Sequence, residues 1–169
     1  MALPRSRLKL LIALGALLAI LGAPASAGAA GGGDSASGRA SQFGDQWDFS
    51  ARSSNTNTDA RGRIRITATT SDPNDVYTAE VTCMRVVGAT ATTPATVVVS
   101  GRIVDQPPGS FALSIQVHAT DSGKFSNVPD TGNAFLSGSP SPPDGTCPAP
   151  FAFLSPIVEG SVTISNTLP

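Results

Sequence analysis

The chain has one histidine, His118, and two cysteines, Cys83 and Cys147. These two shortages remove most metal and nucleophile chemistry together. A structural zinc site takes about four Cys, His or carboxylate ligands at close spacing, and two remote cysteines with one histidine do not supply them. No C-x-x-C redox pair occurs. Aromatic residues make up 5% of the chain, with one Trp and one Tyr, too few for the row of exposed rings that a carbohydrate platform needs. Charge is sparse too, at 14% of residues, and the only lysines are Lys9 and Lys124. With cations this scattered, nothing is suited to tracking a phosphate backbone or an anionic lipid surface. Nucleic acid and membrane surface are therefore excluded as expected partners.

Long hydrophobic runs are also missing, with one exception. Arg5, Arg7 and Lys9 precede an apolar stretch from Leu10 to Gly22, followed by Ala25-Ser26-Ala27. A positive start, an apolar centre and a small-x-small site make up a secretory signal peptide. The apolar stretch is shorter than the roughly 20 residues that cross a bilayer. The expectation is a signal peptide over 1–27, cleaved after Ala27 or Ala29, and no membrane insertion afterwards. Cleavage removes three cations and leaves a net charge of about −4. The excess of arginine, alanine, glycine and proline points to a GC-rich bacterial source. Residues 28–42, GAAGGGDSASGRASQ, are nearly all small or polar and read as a flexible linker.

Residues 43–169 are expected to form one all-β domain. Trp47, Phe49 and Ala51 alternate with polar residues, as do Ile64, Ile66 and Ala68. In SFALSIQVHA, Phe111, Leu113, Ile115 and Val117 share one face and His118 the other. This period of two belongs to half-buried antiparallel strands. Val97 to Val99 read as buried on both sides, and Val162 and Ile164 as inward on a last strand. Turn clusters such as DPND, QPPG, TDSG and PDTGN separate the strands, and no segment carries a 3.6-residue pattern. The fold class is a single small antiparallel sandwich or barrel of about seven to nine strands.

An exported chain with an even cysteine count forms disulfides, so Cys83–Cys147 is expected as a clamp. Closing so long a loop removes about 4 kcal/mol of unfolded-chain entropy. By parity with Ala79 and Val81, the Cys83 sulfur should point into or alongside the core, and Cys147 should pin the loop 137–150 over that face. Pro140, Pro142, Pro143, Pro148 and Pro150 stiffen this loop.

Catalytic sets are absent. A hydrolase would have to be built on His118 as base, with Asp105, Asp121 or Asp130 behind it and a serine in front. No G-x-S-x-G elbow presents a serine. Ser122 in TDSG reads as part of a turn, with Asp121 bonding its own backbone and Gly123 at positive φ. His118 itself reads as exposed or on a rim. Glu80 and Glu159 read as solvent-facing strand residues, and Trp47 and Phe49 as core rather than a sugar platform. One loop gathers Asp121, Asn127, Asp130 and Asn133, and a second Asp72 and Asp75, the only candidates for calcium. Calcium needs about six to eight oxygens, and turn formation accounts for the same residues.

The stretch YTAEVTCMRVVGATATTPATVVVSGRIV, followed by FALSIQVHATDSGKFSNVPDTGNAF and VEGSVTIS, resembles a family of small secreted bacterial all-β proteins. That family has a V-T-C-x-x-V-x-G strand, a strand ending in G-x-I and a D-x-G loop. The residues carrying the resemblance are Val81, Thr82, Cys83, Gly88, Gly101, Ile103, Asp121 and Gly123, within roughly residues 43–166. It implies an exported all-β domain and brings no established activity with it. The functional expectation is a secreted, non-enzymatic binding or cell-envelope module without a cofactor. The alternative is a β-barrel carrier of a small apolar ligand.

Overall fold

The computed structural model describes residues 33–42, 44–54, 59–68, 75–123, 128–143, 146–151 and 154–166. The expected signal segment 1–27, Phe43, Asp72, Lys124 and Asn127 lie outside the described residues. The strands are β1 (Ser35–Gln42), β2 (Asp45–Arg52), β3 (Arg61–Ala68), β4 (Asp75–Val87) and β5 (Ala95–Asp105). They continue as β6 (Ser114–Asp121), β7 (Thr131–Ser137), β8 (Ser155–Pro156) and β9 (Glu159–Ser165). All pair antiparallel in one sheet of order β8-β7-β6-β5-β4-β3-β2-β1-β9. The sheet is a meander that curls into a half-barrel, with the last strand returning to the first. No helix occurs among the described residues.

The concave face holds the core. Trp47, Phe49, Ile64, Ile66, Val81, Met84, Val97, Val99, Ile115, Val117 and Val162 are all buried there. The period-two reading of these segments is therefore the observed inward face. Glu80 and Glu159 face solvent, as their strand parity requires.

The linker expectation is corrected in its second half. Residues 35–42 form β1, between β2 and β9 in full register, with Ala36 and Ala40 buried. The small residues do not loosen this segment; they let neighbours approach it. A Cβ on Gly38 would lie 2.8 Å from the Phe49 ring and 3.0 Å from Val162. The Phe49 ring approaches β1 this closely because Gly38 is there.

A second correction concerns where strands start and which way they face. β6 begins at Ser114 instead of Phe111, and Phe111 is 90% exposed. Within β4 the register to β5 shifts between Val81 and Cys83, leaving Thr82 as an extra residue. A β-bulge of this kind inverts the parity beyond it. Before the bulge, Ala79 and Val81 face the core; after it, Met84 does. Cys83 thus opposes Ser100 on the convex face, not the core face expected for it.

Candidate functional site

The bulge aims Thr82 and Cys83 at the convex side, and a strap of chain is fastened there. Cys83 is bonded to Cys147 with their Cα atoms 5.6 Å apart. The clamp is present, but the described residues 138–143 and 146–151 lie across the back of β4 to β7. Ser141 Oγ is hydrogen bonded to Thr82 Oγ1 at 2.6 Å and to Ser100 Oγ at 2.8 Å. Thr82 Oγ1 donates to the Pro142 carbonyl at 3.1 Å, and Ser114 Oγ to the Ser139 carbonyl at 2.8 Å. These hydroxyls satisfy main-chain carbonyls of a proline-rich segment that has few N–H groups of its own to offer a ladder. Cys83, Val98, Ser100, Ser114 and His118 form the buried layer beneath it.

His118 was expected exposed and is instead fully buried. It does point away from Ile115 and Val117, but the strap covers it. Its ring stacks on Phe151 at 4.2 Å between centroids and on Phe135 at 5.5 Å. Nδ1 accepts the Phe151 N–H at 3.2 Å, which puts the ring proton on Nε2, and Nε2 is buried without a hydrogen-bond partner. Burial pushes the imidazole down to about 4. Neutral, clustered with two phenyl rings that also touch each other and bonded to no serine or carboxylate among the described residues, His118 has the geometry of a packing group.

Ser122 is buried, its hydroxyl donating to the Pro129 carbonyl at 3.1 Å. Asp121 does bond its own turn, Oδ1 accepting the Gly123 N–H at 2.8 Å, although Gly123 is not among the positive-φ glycines. The other carboxylate oxygens of Asp121 and Asp130 are occupied in the same manner. Asp121 Oδ2 accepts the Ile164 N–H at 2.9 Å. Asp130 Oδ1 accepts from Ser122 and Oδ2 from Val162, at 2.9 and 2.8 Å. All four carboxylate oxygens therefore face main-chain donors. Asn133 sits on β7 in register with His118. Among the described residues no group of three or more His, Cys, Asp or Glu side chains is placed to hold a metal ion. Asp105 ends β5, in register with Thr78 rather than near His118.

Two surface features are left. A half-open cavity of about 390 Å³ at the rim of β1, β2, β3 and β9 is lined by Arg39, Gln46, Asp48, Arg65, Thr67 and Glu159, with Trp47 at its base. Its charges balance, and its walls are polar. The second feature is apolar. Where β5, β6 and β7 end together, Val104, Phe111, Leu113 and Leu136 are exposed. Leu136 is in register with the core residue Ile115, and Leu113 precedes it by one strand period. The concave face thus runs out past the core as an uncovered apolar rim. Its position could not be read from sequence, because it depends on β6 starting three residues late.

No helix of the described residues is long and apolar enough to cross a membrane. No protein-family model matches the chain, and no curated protein or solved structure is significantly similar to it.

Proposed function

We propose that this chain is an exported, non-enzymatic binding module of the cell envelope or its surroundings, which docks a protein partner on the rim formed by Val104, Phe111, Leu113 and Leu136. The observation that carries this reading is the exposure of Phe111 beside two exposed leucines that continue the core face. Contiguous apolar surface at a rim marks an interaction site more often than a solvated one. The disulfide fits an oxidising compartment outside the cytoplasm. The family resemblance to small secreted bacterial proteins is part of the same proposal.

The carrier alternative needs an enclosed apolar cavity. The concave face is filled with side chains, and the rim cavity is polar and half-open, so the docking-module reading is the better supported. A photocrosslinking residue placed at position 111 in the producing cell tests it. The expected result is a covalent adduct to a protein, lost when Leu113→Ser and Leu136→Ser are introduced. An exported, folded chain that forms no adduct overturns the reading.

A further inference from the structure

β7 is paired along its whole length on one side and along only part of it on the other. On the far side from β6 it meets β8 only at Thr131 and Gly132. The Ser137 carbonyl accepts the Leu113 N–H at 2.8 Å, so residue 137 turns its main-chain groups toward β6. In an antiparallel ladder these groups alternate sides residue by residue. The N–H and C=O of Ala134 and Leu136 therefore point away from β6, where no described strand lies. Proteins commonly guard such an edge with a charge, a proline or a bulge. Thr131–Ser137, TGNAFLS, has no charge and no proline, and its pairing with β6 runs without a register shift. By contrast, the free edge of β9 is capped by Asp121 and Asp130.

We infer that the free edge of β7 pairs with the same edge of a second copy of this chain. An antiparallel pairing about a two-fold axis at Phe135 sets Ala134 opposite Leu136 of the second copy, and the reverse. Each pair then exchanges both of its main-chain hydrogen bonds. Such an isologous contact is self-complementary and closes at two copies. It also carries the concave face across the join, so that Leu136 packs against Ala134 of the second copy, diagonally across the axis from the second Leu136, instead of facing water. The occupant must offer an unpaired strand edge and an apolar residue at alternate positions, and β7 itself is a strand with both. The inference rests on the Leu136 edge of the rim being a docking surface and names what docks there.

Sedimentation velocity of the purified protein over a wide concentration series tests the pairing. The expected result is a monomer–dimer equilibrium that Leu136→Pro abolishes. That variant removes the apolar side chain at the join and an N–H directed away from β6, leaving the β6 ladder its donors, and proline is tolerated where a strand edge is free. Should Leu136→Pro not fold, the wild-type protein gives an independent readout. The Ala134 and Leu136 amides should exchange freely with deuterium when dilute, and slow at least about tenfold as the dimer fills, in line with mass action. A protein that stays monomeric at every concentration overturns the inference. So does a dimer in which these amides stay fast while Phe111→Ser or Leu113→Ser dissociates it; that result would leave the rim as a docking surface without strand pairing. A monomer whose position-111 crosslink joins only a different protein likewise overturns the second-copy assignment and leaves the proposed function standing.

Discussion

Asp130 binds the edge of β9 to the turn between β6 and β7, its Oδ2 accepting the Val162 N–H at 2.8 Å while Oδ1 accepts the Ser122 N–H at 2.9 Å. Asp121 repeats the arrangement with Ile164 and Gly123. β9 has β1 on one side and no described strand on the other, so Val162 and Ile164 would otherwise present bare donors at the open seam of the half-barrel. Hydrogen bonds to a charged group are worth about 1.5–3 kcal/mol each. Asp130→Ala should lower the unfolding free energy by about 2–4 kcal/mol, and Asp130→Asn by less, since one carbonyl oxygen remains. Urea denaturation reads both. Calcium should leave the melting temperature of the wild-type protein unchanged, because the oxygens that would bind it already hold main-chain donors. A calcium-dependent rise would show that the seam description is wrong.

Much of this architecture could be read before the fold was known, and the failures have identifiable causes. The inward sets Trp47/Phe49/Ala51 and Ile64/Ile66 followed from alternation alone, because each lies on an unbroken ladder. β1 was missed because its inward residues are Ala36, Gly38 and Ala40, whose alternation with Ser37, Arg39 and Ser41 is regular but carries almost no hydrophobic contrast. Cys83 was assigned to the wrong face because one inserted residue, Thr82, inverts parity, and nothing in VTCMRV announces a bulge. The pairing of Cys83 with Cys147 was legible; the face it straps was not. His118 was placed on the correct side of its strand, but its burial depends on Phe151, which is 33 residues away and arrives only because the disulfide holds the strap.

The strap should detach as a unit when its covalent tie is removed. Replacing both Cys83 and Cys147 by alanine should cost up to about 4 kcal/mol in global stability, the loop-entropy value for a long closed loop. The local effect is more specific. With the strap free to leave, Ser100, Ser114 and His118 become accessible, whereas the concave core does not depend on the strap. Hydrogen exchange should therefore rise on the strap and beneath it, and the environment of Trp47, read by fluorescence, should change little. Equal loosening on both faces would contradict a two-layer arrangement.

The buried imidazole links stability to pH with a definite sign. His118 in the folded protein is held down to about 4, whereas in the unfolded chain it takes a proton near 6.5. Between these values only the unfolded state binds the proton, so acid favours unfolding. Stability contributed by the neutral ring is complete above about pH 6.5, falls as the pH drops toward 4, and changes no further below that. The loss should be on the order of 1–2 kcal/mol once residual screening is allowed for. Carboxylates add their own pH dependence, so the measurement is the difference between wild type and His118→Gln, which keeps an acceptor for the Phe151 N–H and does not titrate. That difference should disappear in the variant lacking the disulfide, where an NMR titration should find His118 moved back toward its ordinary value.

Two glycines with positive φ separate backbone strain from crowding. Gly109, in the QPPG turn between β5 and β6, has φ 84° and nothing within 4 Å of a Cβ built on it. Gly109→Ala meets only the left-handed backbone penalty, about 1–2 kcal/mol. Gly160, at the start of β9, has φ 120°, and a Cβ there would overlap the Arg39 carbonyl oxygen and lie 2.9 Å from the Cα of Ala40. Both obstacles are main chain of β1, and neither can move without breaking the β1–β9 pairing. Gly160→Ala should therefore cost at least about 3 kcal/mol, combining strain with overpacking. It should also release the seam, so that the Val162 and Ile164 amides exchange at the rate of an unpaired edge. Comparable melting temperatures for the two variants would mean that β9 is not held against β1 as described.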